Sequence, residues 1–77
     1  MVVQLKFFAG LRSYLPPEPF PYPYDAQEGA TVAQVLGALS IPLDKPRIIL
    51  INGRHGELET ALSEGDLLSL FPPVAGG

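Results

Sequence analysis

The sequence predicts an α+β domain, one helix packed on a mixed sheet, from three observations. Strand-like runs open and close the chain, a single strong amphipathic helix signal lies between them, and 77 residues suffice for one domain only. The order strand, strand, helix, strand, strand fits a single helix covering one sheet face. Residues 1–77 are therefore read as one domain, with residues 72–77 as a flexible C-terminal tail.

Val2 to Phe8 (VVQLKFF) alternates loosely and is rich in β-branched and aromatic residues, which marks a first strand. Gly10 breaks it, and Ala9 to Pro17 (AGLRSYLPP) reads as a turn or short helical stretch ended by the prolines. Prolines at 17, 19, 21 and 23 punctuate the next segment, PPEPFPYPYDA. One reading is a polyproline II ligand for an aromatic groove. The other is an edge strand: at a period of two, Pro19, Pro21 and Pro23 lack donors on one side, while Phe20, Tyr22 and Tyr24 keep theirs for the first strand. The edge strand is favoured, because an edge is where a sheet tolerates proline.

In ATVAQVLGALSI, Thr31 is placed as an N-cap with Gln34 three residues on, the spacing of a capping box. Val32, Val35, Leu36 and Leu39 fall at i, i+3, i+4 and i+7, one apolar face that reads as core. The helix is expected to stop before Pro42. Arg47 to Gly53 (RIILING) reads as a strand, its continuous apolar run Ile48 to Ile51 suggesting an interior position, and Asn52-Gly53 is a turn dipeptide. Gly65-Asp66 is a second turn, Asp66 to Phe71 (DLLSLF) the last strand, and Pro72-Pro73 its stop, since neither can donate to a ladder. With the first and last strands paired in parallel at the centre, this order resembles the β-grasp architecture of ubiquitin.

The absence of cysteine excludes disulfides, thiolate metal sites and a side-chain thiol nucleophile, and leaves the compartment unmarked, with the cytoplasm as default. No charged start precedes a long apolar run, so neither a signal peptide nor a membrane span is expected. The formal charge is −3 and the five basic residues, Lys6, Arg12, Lys45, Arg47 and Arg54, are scattered. That argues against nucleic acid and for a protein partner carrying a basic patch.

Side-chain chemistry is thin. His55, the sole histidine, follows the Asn52-Gly53 turn and reads as a solvated loop residue. Glu57, Glu59, Glu64 and Asp66 lack a ligand spacing and read as a solvated face, so no metal is expected. Phosphate-binding glycine loops are missing, and no bound cofactor is expected.

What remains is FPPVAGG, Phe71 to Gly77. Two terminal glycines arise by chance in roughly 0.5 % of chains, given glycine at about 7 % of residues, so the pair alone is a weak signal. Its setting strengthens it. Gly76 and Gly77 carry no Cβ and suit passage through a narrow channel. Pro72 and Pro73 restrict the base of the tail, lowering the entropy lost on docking. Phe71 and Val74 offer apolar contacts, and the tail reaches about 20 Å from Phe71 at roughly 3.3 Å per extended residue. An α-carboxylate with a pKa near 3.5 is a poor electrophile at neutral pH and needs activation, for which acyl adenylation by an ATP-using partner is the expected route.

LKFFAGLRSYL (Leu5 to Leu15) and LSEGDLLSLFPPVAGG (Leu62 to Gly77) resemble the ubiquitin-like sulfur carriers of the MoaD/ThiS family, and the likeness in order covers most of the chain. The proline stretch from Pro16 to Pro23 departs from that family's usual second strand. The resemblance implies that an E1-like adenylyltransferase activates Gly77, which then becomes a thiocarboxylate, with Gly76 giving channel access. Phe71, Pro72, Pro73, Val74 and Ala75 would form the docking tail. Phe7 and Arg12 are implied as partner-facing, although Phe7 reads equally well as a core aromatic. Within the family the likeness is to the small subunit of molybdopterin synthase, whose large subunit would receive the tail and whose sulfur builds the dithiolene of the Mo/W cofactor. A thiamine-type or other carrier, or a ubiquitin-like modifier that never carries sulfur, remain the alternatives. A homodimer is allowed but not expected to be functional.

Overall fold

The computed structural model describes residues 1–73. β1 (Val2–Phe7) leads through a 3-10 helix (Ala9–Tyr14) to β2 (Tyr22–Asp25); α1 (Val32–Ala38) follows, then β3 (Ile48–Ile51), β4 (Arg54–His55) and β5 (Leu67–Phe71). The strands form one sheet in the order β2-β1-β5-β3-β4. β1 and β5 run parallel at its centre, with Phe7 opposite Leu70, while the other neighbouring strands pair antiparallel. This is the β-grasp arrangement expected from the sequence, with one strand more.

Strand alternation divides the sheet into two faces. Val3, Leu5 and Phe7 of β1, Leu68 and Leu70 of β5 and Ile49 of β3 turn inward, where Val32, Val35 and Leu36 of α1 complete the core. Each large side chain buried there is worth about 1.5–3 kcal/mol in transfer free energy. The Thr31 hydroxyl accepts from the Gln34 N–H at 3.2 Å and the Gln34 side chain accepts from the Thr31 N–H at 2.9 Å, the capping box expected. The helix stops before Pro42, as expected: Ile41 N–H donates to Leu36 and Ser40 N–H to Gly37, with Ser40 at φ 62°. That is the Schellman stop, made here without glycine.

β2 is an edge strand, as favoured over the polyproline ligand, but starts only at Tyr22. Tyr22 and Tyr24 pair with Leu5 and Val3, and Pro23, opposite Gln4, falls where no donor is needed. Phe20, expected in the strand, lies before it. The reading of His55 as a loop residue is corrected. Asn52 and Gly53, both at positive φ, form a tight hairpin that brings Arg54 and His55 into β4 beside β3. β3 is thus an interior strand.

β5 is tied at its start. Asn52 accepts from the Leu67 N–H at 2.9 Å and donates its side-chain amide to Asp66 at 2.8 Å, while Asp66 also accepts from the Ser63 N–H at 2.8 Å. Bonded along both sides and fixed at its entry, β5 sets the point from which the chain leaves the sheet. At the other end of β1 the Met1 ammonium donates to the Ala26 carbonyl at 2.8 Å and faces Asp25 and Glu28 at 3.5 and 3.3 Å. Partial burial lowers its pKa, but Glu28 and then Asp25 outweigh that, and the net shift is upward from 8.0.

Candidate functional site

The helix-free face of the sheet carries an aromatic surface where β5 ends. Because Phe7 points into the core, its neighbour Phe8 points out, and the parallel register sets it beside Phe71. The two rings stack with centroids 4.3 Å apart and planes inclined by 5°. Phe20, delivered by the proline-rich loop, meets Phe8 edge-on at 6.2 Å and 89°. On the other side Ile48 of β3 lies opposite Phe71 and is 45 % exposed. The result is a strip, Ile48–Phe71–Phe8–Phe20, with its two ends exposed and its two central rings half-buried. Contiguous apolar surface of this kind on a small domain marks an interaction site.

Cationic heads lie over the rings. The Arg12 guanidinium sits 4.3 Å from the Phe20 centroid and the Lys6 ammonium 5.7 Å from that of Phe8, both within range of a cation–π attraction. Beyond Phe71, whose carbonyl accepts from the Arg47 N–H at 2.8 Å, Pro72 and Pro73 carry no N–H and the ladder stops. Pro72 is half-buried and Pro73 exposed. Pro72 also walls a cavity of about 240 Å³ with Gly10, Leu11, Ser13, Tyr14 and Lys45.

The sequence-derived site residues divide three ways. Phe71, Pro72 and Arg12 are brought together around the root of the tail, with Pro73 exposed just beyond them. Phe7 is wholly buried, which selects the core reading of it over the partner-facing one, and the ring turned to the open face is that of Phe8. Val74, Ala75, Gly76 and Gly77 lie outside the described residues. Phe8, Phe20 and Ile48 were missed. For Phe8 the signal was present, since Val3, Leu5 and Phe7 as one inward set leave Phe8 on the other face. Phe20 and Ile48 needed the tertiary register.

Elsewhere the surface offers little chemistry. A concavity of about 280 Å³ between β2 and α1 is lined by Tyr24, Asp25, Ala26, Gln27, Ala30, Gln34, Val35 and Ala38, and its one carboxylate is turned to the Met1 ammonium. His55 faces Glu57 at 3.4 Å, both side chains well exposed. Among the described residues, no three of His, Cys, Asp or Glu gather as metal ligands, and no helix is long and apolar enough to cross a membrane.

Comparison with known proteins extends this picture. A model of the ThiS family matches residues 5–77. Small archaeal modifier protein 3 of Haloferax volcanii is 35 % identical over 94 aligned positions, covering 100 % of both chains. The crystal structure of SAMP1 from the same organism superposes with a TM-score of 0.71 at 27 % identity, again over 100 % of both chains. A complex of subunits 1 and 2 of the molybdopterin-converting factor from Helicobacter pylori contains a chain that matches with a TM-score of 0.62 and 26 % identity, covering 100 % of both.

Proposed function

This chain belongs to the ThiS family, and from that premise we propose that it is a sulfur carrier, the small subunit of a molybdopterin synthase-type sulfurtransferase. In this reading an E1-like partner spends ATP to adenylate the Gly77 carboxylate, releasing pyrophosphate. Attack by a persulfide sulfur displaces AMP, and reductive cleavage of the resulting acyl disulfide by a thiol leaves the thiocarboxylate. The thiocarboxylate sulfur then adds to the pterin precursor within a large subunit, building the dithiolene of the Mo/W cofactor. The chain's own part is mechanical. β5 fixes the exit point, Pro72 and Pro73 end the ladder, and the Phe8–Phe71 strip holds the partner while the terminus reacts.

One observation carries this reading: the aromatic strip lies where the sheet releases the segment PPVAGG, so docking and delivery are set by the same strand end. The Helicobacter relationship supports a large-subunit partner, since its matching chain comes from a two-subunit complex. A second reading has its own support. The 35 % identical relative bears the name of a modifier protein, and amine attack on the same adenylate would give an isopeptide bond.

The test is deletion of Gly77. With the activating enzyme, ATP, a sulfur source and the large subunit supplied, sulfur transfer to the pterin precursor is expected to vanish. The urea midpoint should stay unchanged, because the buried core is built from residues between Val3 and Leu70. Sulfur transfer that survives the deletion rules out the mechanism. Stable conjugates to lysines, without any thiocarboxylate, select the modifier reading.

A further inference from the structure

Basic residues that the sequence spreads from position 6 to position 47 converge in the fold on one end of the molecule. Lys6 and Arg12 lie over Phe8 and Phe20, Lys45 lines the cavity beside Pro72, and Arg47 is bonded through its backbone to Phe71. Only Arg54, on β4, stands apart. Among the described residues none of these four side chains joins an ion pair.

Half of the eight side-chain carboxylates are engaged at the opposite end. Asp25 and Glu28 face the Met1 ammonium, Glu64 accepts from the Val2 N–H at 2.9 Å, and Asp66 is held by Asn52 and Ser63. These four cluster where β1 begins, whereas the cations cluster where it ends. Glu57 faces His55, and Glu59 lies near it in the chain. Glu18 and Asp44 lie on the loops that carry Phe20 and Lys45, and Glu57 follows Gly56, whose N–H donates to the Ile49 carbonyl at 2.9 Å, so three carboxylates flank the four cations.

The six residues of β1 separate the two poles by roughly 20 Å at about 3.3 Å per residue. At physiological ionic strength the Debye length is about 8 Å, so a partner at the tail root is largely screened from the acidic pole. It meets a cationic surface on a chain whose formal charge is −3. The cations are also spread along an aromatic strip and do not converge on one point. That spacing suits an extended protein surface and not a single small anion. Two of the heads are already held over ring faces, which lowers the side-chain entropy lost on docking.

We infer that the tail-root surface docks a protein whose apolar socket is rimmed by acidic side chains, and that the chain's charge separation turns the tail toward that socket during approach. This rests on the carrier reading above and names its partner's chemistry. It also reverses the basic partner that net charge alone suggested, because the fold segregates what the sequence scatters.

The experiment measures association of the full chain with the subunit-2-type protein of the molybdopterin-converting factor from the same organism, by stopped flow at 50 and 500 mM NaCl. The association rate is expected to fall about tenfold at the higher salt. Arg12→Gln and Lys45→Gln are each expected to weaken binding about two- to fivefold, as for rim charges. Glu59→Lys, away from this end, should leave the rate within about twofold, and circular dichroism confirms that each variant is folded. A complex that forms equally fast at both salts and tolerates both neutralisations overturns the inference and leaves the carrier reading intact. No complex at either salt overturns both.

Discussion

The stacked pair Phe8–Phe71 allows a double-mutant cycle with two readouts. Each ring is half-buried, so truncation to alanine gives up roughly half of the 1.5–3 kcal/mol of a fully buried aromatic, about 1 kcal/mol. Stacking at 4.3 Å with near-parallel planes adds about 0.5–1.5 kcal/mol that either single mutation removes. Phe8→Ala and Phe71→Ala should therefore each cost about 2 kcal/mol, and the double mutant about 1 kcal/mol less than their sum. With a urea m-value of about 1 kcal/mol/M for a domain of this size, each single mutant should shift the midpoint down by roughly 2 M. Additivity within about 0.3 kcal/mol would refute the stack. A loss above about 4 kcal/mol from Phe8→Ala would refute its place on the open face, since only a core ring costs that much. The second readout is binding of the subunit-2-type partner, where Phe71→Ala should cost at least about 2 kcal/mol as a central aromatic of the interface. Unchanged partner affinity would remove the strip from the docking surface.

Three further outcomes follow from the same geometry. Ser40→Gly should stabilise the domain by about 1 kcal/mol in urea melts, because φ 62° at the helix stop strains any residue with a Cβ. Gly56→Ala should cost about 1–2 kcal/mol in the same assay, since an added Cβ would sit 2.7 Å from Ile51 Cδ1 and 3.2 Å from Cγ1. Raising the pH should weaken the Met1 clamp. Its folded pKa lies above the unfolded value of 8.0, so its contribution is complete below pH 8.0 and lost as pH climbs through the folded value. Thermal melts from pH 7 to 10 should therefore fall more steeply for the free amine than for the N-acetylated chain, and equal slopes would refute the clamp.

Much of this fold is written locally. Thr31 and Gln34 announce the helix start, Asn52-Gly53 the hairpin, and alternate prolines the edge, because each feature depends on neighbours a few residues away. β4 was not legible: two residues carry no pattern, and they become a strand only because the hairpin lays them against Leu50 and Ile51. The form of the helix stop was similarly hidden, since Ser40 takes a conformation that glycine usually marks. At the candidate site, local reading named Phe71 and Arg12 but left Phe7 open between core and surface. Two adjacent phenylalanines look alike until the inward set Val3–Leu5–Phe7 fixes the phase of β1. The cationic end was invisible for a deeper reason. Lys6, Arg12, Lys45 and Arg47 come together only through the parallel β1–β5 pairing and the closure of the α1–β3 connection onto it.

Intact mass shows whether the Gly77 carboxylate is the reactive group. The chain is incubated with its E1-like enzyme, ATP and a sulfur source, and then weighed without proteolysis. A thiocarboxylate carrier gains the mass of one oxygen replaced by sulfur, localised to Gly77 by fragmentation and absent without ATP. An unchanged mass, with the enzyme shown to be active on another carrier, would contradict the carrier reading.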